Sequence, residues 1–118
     1  MTEEIKKESL RKSLRVKVNW SSRVLTPDRR ILAARTKDVS EGGLGFELQE
    51  GLAVGAECNI ELTPWSKGKQ YLIRAKCIVT YSMLMASNAG FSHGVRFSFV
   101  PPDQLADLKK IIKEIIDK

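Results

Sequence analysis

The stretch Tyr71-Leu72-Ile73-Arg74-Ala75-Lys76-Cys77-Ile78-Val79-Thr80-Tyr81 decides the fold class. Tyr71, Ile73, Ala75, Cys77, Val79 and Tyr81 recur at every second position, the longest clean alternation in the chain. Successive side chains of extended backbone point to opposite sides, so period two describes a strand with one buried face. An amphipathic helix would instead repeat its apolar residues three and four apart.

The same period extends in both directions. Upstream, Leu14, Val16, Val18 and Trp20 share a face opposite Arg15, Lys17 and Asn19, in a strand that continues to about Leu25 and turns at Thr26-Pro27-Asp28. A second strand runs from Ile31 to about Lys37. It ends in the turn Asp38-Val39-Ser40-Glu41-Gly42-Gly43, whose glycines permit positive φ and close backbone approach. Leu44, Phe46 and Leu48 mark a third strand. Cys58, Ile60 and Leu62 mark a fourth, broken by Pro64-Trp65-Ser66-Lys67-Gly68. Downstream of the opening stretch comes a loop around Ser87-Asn88-Ala89-Gly90, then a sixth strand carrying Val95, Phe97 and Phe99.

After Pro101-Pro102 the period changes to helical, through Leu105, Leu108, Ile111, Ile112 and Ile115, with Asp103 as the expected N-cap. The expected fold is mainly all-β: a six-stranded antiparallel β-barrel, closed so that no strand edge is left open. A C-terminal amphipathic α-helix over about 103–117 packs its stripe on the sheet. Residues 1–13 are polar apart from Ile5 and Leu10 and read as a mobile N-terminal arm; residues 14–118 form the barrel domain.

Composition excludes several functions. The first residues alternate charges and contain no apolar signal core, and no apolar run approaches membrane-spanning length, which gives the cytoplasm as the expected compartment without membrane insertion. Cys58 and Cys77 read as buried free thiols, and His93 with two cysteines in this pattern does not make a zinc site, so no metal is expected. There is no nucleophile with a partnered base, no paired-carboxylate signature and no phosphate-loop lysine motif, so the chain reads as no enzyme. A net charge of +6 suits a polyanionic partner or a phosphorylated small ligand.

Two local patterns carry chemistry that fits together. Arg11-Lys12-Ser13-Leu14-Arg15 sets two arginines four apart where the arm meets the first strand. A guanidinium is a planar fork that meets two phosphate oxygens, or O6 and N7 of guanine, with parallel hydrogen bonds. Asp38-Val39-Ser40-Glu41-Gly42-Gly43 offers a carboxylate acceptor for the N1 and N2 donors of guanine, with a hydroxyl and glycine amides for a phosphate.

Arg-x-x-x-Arg followed by Asp-x-Ser-x-x-Gly resembles the signature of PilZ domains, bacterial receptors for the second messenger cyclic di-GMP. Gly94-Val95-Arg96-Phe97 resembles a run near the end of their last strand. The resemblance implies a ligand site of Arg11, Arg15, Asp38, Ser40 and Gly43, with Leu10, Lys12 and Gly42 as neighbouring candidates. It also implies that the arm wraps the ligand while the barrel holds it. Many members carry another arginine where this chain has Leu10, which leads us to expect one cyclic dinucleotide per chain rather than a stacked pair. No cofactor is implied beyond this ligand. A downstream protein of unknown identity would receive the signal, and the full helix stripe, including Ile116, allows a monomer or a weak homodimer.

Two other readings compete. A small basic barrel binding nucleic acid would present aromatic residues for base stacking, and here the clear aromatic positions fall on faces that read as buried. A protein adaptor of the same fold that binds no ligand would lack the arginines, which this chain keeps.

Overall fold

The computed structural model describes residues 14–117, without the side chain of Ser87. Six long strands close into an antiparallel barrel: β1 (Val16–Leu25), β2 (Ile31–Val39), β3 (Gly43–Leu48), β4 (Glu57–Leu62), β7 (Ile73–Leu84) and β8 (Phe91–Phe99). The order around the wall is β1-β2-β3-β8-β7-β4, and β4 pairs back onto β1. The expected break at Pro64–Gly68 holds a small hairpin of β5 (Trp65–Ser66) and β6 (Lys69–Gln70). A closing helix, α1 (Pro102–Ile116), packs Leu108, Ile111 and Ile112 into the core.

Inward-facing Val24, Leu44, Phe46, Ile60, Leu62, Ile73, Val79 and Val95 fill the interior. Cys58 and Cys77 face each other across the β4–β7 ladder, both buried, and burial pushes the Cys58 thiol up to about 11. The helix begins differently from the sequence reading. Pro101 occupies the N-cap and Pro102 the first turn, whose missing N–H would be unpaired in any case; Asp103 lies inside that turn, where a carboxylate complements the helix dipole. Gln104 Oε1 accepts a 2.6 Å bond from the Arg74 amide and ties the helix start to β7.

The pairing register shifts at four points, and two of them set the outer wall of the site. Between Thr36 and Asp38 one extra residue sits on β2. Thr36 is buried, and strict alternation would put Asp38 inside with it; the bulge turns Asp38 out and brings Val39 into the core instead. Between Val79 and Tyr81 an extra residue on β7 does the same, so Tyr81 stands on the outer wall rather than on the inward face expected of it. A third bulge, between Phe97 and Phe99 on β8, exposes Phe99. The fourth lies in β1 between Lys17 and Trp20; below it Leu14, expected on the buried face, is exposed ahead of the strand's first residue. Trp20 is half-buried against the core.

His93 lies wholly inside the barrel, stacked on Phe46 with ring centroids 4.9 Å apart. Its Nε2 accepts a 2.9 Å bond from the Leu52 amide, while Nδ1 has no hydrogen-bond partner among the described residues. Burial holds its pKa below the usual imidazole value of 6.5. The native state therefore binds fewer protons than the unfolded chain once pH drops below that value, and stability declines from there toward the lowered native pKa. We expect urea midpoints to fall between pH 7 and pH 5, at most about 1.4 kcal/mol per pH unit from this residue. In His93→Gln, which keeps an acceptor for Leu52, that part of the decline should vanish; an unchanged slope would remove His93 as its source.

Candidate functional site

Asp38 and Arg15 meet on the outer wall. Arg15 Nη1 donates to Asp38 Oδ1 at 2.5 Å, bridging the chain ahead of β1 to the end of β2. Asp38 is part of β2 rather than of the following turn, paired with Lys17 on one side and Gly45 on the other. Its carboxylate lies over Gly45: a Cβ there would fall 2.7 Å from Oδ2. Gly45 pairs with Gly94, and Gly94 pairs with Tyr81, whose ring covers the glycine so closely that a Cβ would collide with it.

Lys17, Asp38, Gly45, Gly94 and Tyr81 thus form one continuous row across five strands. Three strand spacings of about 4.8 Å separate the Asp38 and Tyr81 backbones, roughly 14 Å of wall. The two glycines form a floor without side chains, buried under the Asp38 carboxylate at one end and the Tyr81 ring at the other. Sequence reasoning missed Gly45, Gly94 and Tyr81 as site residues. The available signal was two isolated glycines within apolar strand runs, which mark close approach from outside.

The turn beside this row is self-contained. Ser40 N–H donates to Gly43 O at 2.8 Å, and Ser40 Oγ both donates to Gly43 O and accepts from Gly42 N–H, each at 3.2 Å. Ser40 is buried, so its hydroxyl shapes the turn. Gly42 O accepts from Phe97 N–H at 2.9 Å and locks the turn to β8. Neither Gly42 nor Gly43 uses the positive φ open to glycine; of the two freedoms read from the sequence, this turn uses close backbone approach. Gly43 is needed for space: a Cβ would strike the Val95 carbonyl oxygen and lie 3.2 Å from Arg96 Cα. Arg96, opposite Gly43, is exposed and its guanidinium makes no hydrogen bond among the described residues. Together with Arg15 and Lys17 it gives this wall a positive surround. Leu10, Arg11 and Lys12 lie outside the described residues.

A family model for the PilZ domain matches residues 9–114. The chain belongs to the PilZ domain family. Solved structures agree in fold. This PilZ domain superposes on the Bacillus subtilis inhibitor of motility (MotI/DgrA) with a TM-score of 0.73 at 13% identity, covering 89% of this chain and 50% of that one. On Escherichia coli YcgR in complex with c-di-GMP the values are 0.71 and 21%, over 88% of this chain and 45% of that one. On the isolated PilZ domain with c-di-GMP of YcgR they are 0.62 and 20%, over 88% and 89%. The chain spans about half the length of the first two proteins. A search of curated proteins gave no match. Among the described residues no helix is long and apolar enough to cross a membrane, and no cluster of three or more potential metal ligands occurs.

Proposed function

We propose that this PilZ domain is a non-enzymatic receptor for cyclic di-GMP, acting in the cytoplasm and binding one ligand on the outer wall beside β2 and β3. The observation that carries the reading is the meeting of Arg15 and Asp38 at the edge of the glycine floor, two residues from separate motifs within one hydrogen bond. Two of the similar structures hold c-di-GMP, which supports the ligand class.

Each residue has a role. Asp38 accepts from the Watson–Crick edge of a guanine on the outer wall, and the exposed face of Tyr81 packs against the base. Arg15 supplies a fork for a phosphate or for O6 and N7. Ser40 and Gly43 hold the turn that receives a phosphate, and Arg11 completes the clamp from the arm. Binding draws the arm onto the barrel, and the changed surface passes the signal to a downstream protein.

Isothermal titration with cyclic di-GMP tests this. An exposed ion pair such as Arg15–Asp38 contributes only about 0–1 kcal/mol to stability, so Arg15→Ala should fold normally. Its ligand affinity should fall by about 1.5–3 kcal/mol, roughly ten- to hundredfold, through loss of charge-assisted bonds. Arg15→Lys should also weaken binding, since a point charge cannot replace the fork. Wild-type affinity in Arg15→Ala would remove Arg15 from the site, and a stoichiometry of two per chain would overturn the single-ligand reading.

A further inference from the structure

At the opposite end of the barrel from Asp38 the outer wall carries a second, chemically different groove of about 380 Å³. Ile31 and Asp38 bracket β2, seven residues or roughly 23 Å apart along the strand. Again one row of paired residues defines the groove: Ile31, Leu25, Asn59, Lys76 and Phe99, on β2, β1, β4, β7 and β8 in turn. Ile31 is 63% exposed, Phe99 53% and Leu25 36%, so the groove carries an outward-facing apolar patch. Phe99 is there because of a bulge: alternation from Phe97 would bury it, and the extra residue turns it out.

The rim is cationic. Arg23 and Arg74 both bond Glu61, the first through Nη2 at 2.7 Å and the second through Nε at 3.1 Å, so two guanidiniums share one carboxylate. Lys76 adds a third positive group, leaving the groove with an excess of two charges.

We propose that this groove docks an acidic segment of a partner protein that inserts two or three large apolar side chains. The charge identifies the occupant. A second copy of this chain is unsuited to the groove, because its net charge is +6 and the solvent face of its helix carries Lys109, Lys110 and Lys113. A bilayer is unsuited as well, because the apolar residues line a recess in the wall rather than a protruding loop. A helix with an apolar stripe, or an extended segment with spaced anchors, meets the recess, and its carboxylates meet Arg23, Arg74 and Lys76. The groove stands apart from the cyclic di-GMP reading, and a signal could reach it along β1 and β2, which run from one site to the other.

The test uses the full chain and a synthetic peptide with leucines on one helical face and glutamates on the other, followed by amide chemical shifts and fluorescence anisotropy. Shifts should concentrate at Leu25, Ile31, Asn59, Lys76 and Phe99. A peptide with lysines in place of the glutamates should bind at least about tenfold more weakly, as should the acidic peptide to Ile31→Ser/Phe99→Ser or to Lys76→Glu. Thermal midpoint and cyclic di-GMP affinity of these variants, all at exposed positions, should equal wild type, which separates loss of docking from loss of fold. Equal affinity for the two peptides, or shifts elsewhere on the barrel, would overturn the proposal. So would a concentration-dependent dimer abolished by Ile31→Ser, or Phe99-dependent binding to phosphatidylglycerol vesicles.

Discussion

Cyclic di-AMP is expected to bind this domain at least about a hundredfold more weakly than cyclic di-GMP, a gap of about 3 kcal/mol. Arg15 occupies Oδ1 of Asp38, which leaves Oδ2, over the glycine floor, to accept from a base. Guanine brings N1–H and an N2 amine to that acceptor. Adenine has neither, and it presents an amine where guanine has the O6 acceptor that a guanidinium requires. Each polar group left unmet in the closed site costs about 1–3 kcal/mol, and a site built on hydrogen bonds rejects analogues lacking them far more strongly than an apolar pocket does. Asp38→Ala should therefore weaken cyclic di-GMP while leaving cyclic di-AMP little changed, so the selectivity narrows. Competition binding of both dinucleotides to wild type and Asp38→Ala reads this directly. Equal affinities in wild type would mean that the wall recognises phosphate alone, and the guanine-specific reading would have to be given up.

Gly43→Ala is expected to be the most damaging single methyl group that can be added near the site. The new Cβ meets backbone, the Val95 carbonyl, and no rotamer change can relieve it. Either the β3–β8 ladder shifts or the turn releases its bond from Phe97 N–H to Gly42 O. Overpacking of this kind costs about 1–3 kcal/mol, which for a domain of this size lowers the thermal midpoint by roughly 5–15 °C. Cyclic di-GMP affinity should fall as well, because the turn moves relative to Asp38. Gly94→Ala provides the contrast. Its clash is with the Tyr81 ring, a side chain that can swing away, so the midpoint should stay close to wild type while ligand affinity drops. Differential scanning calorimetry and titration on the two variants separate these outcomes; equal midpoints would show that the β3–β8 contact is softer than its geometry.

The barrel was readable because alternation is a local property. Within each run, from Val16 to Val24 or from Ile73 to Val79, the buried set follows from spacing alone. The bulges were not readable, because an extra residue is defined only against the strand across the ladder, and neither Lys37 nor Thr80 is unusual in its own segment. For that reason Tyr81 and Phe99 were expected inside and Asp38 in a turn. The helix start was misread for a different reason: Asp103 is a better capping residue than proline, but Pro101 and Pro102 already fix the backbone one residue earlier. The pairing of Arg15 with Asp38 spans 23 positions, and only the family resemblance joined them before the fold did.

The outward orientation of Tyr81 rests on one inserted position rather than on any property of tyrosine. One residue added between Gly94 and Val95 on the facing strand would give Thr80 a partner, restore strict alternation from Val79 and turn Tyr81 to the interior. A homologue lengthened there could retain every letter of both arginine and aspartate motifs and still be blind to the dinucleotide. Spacing in a segment remote from those motifs then becomes a criterion for sorting sensing from non-sensing members, one that a search for the motif letters alone would pass over.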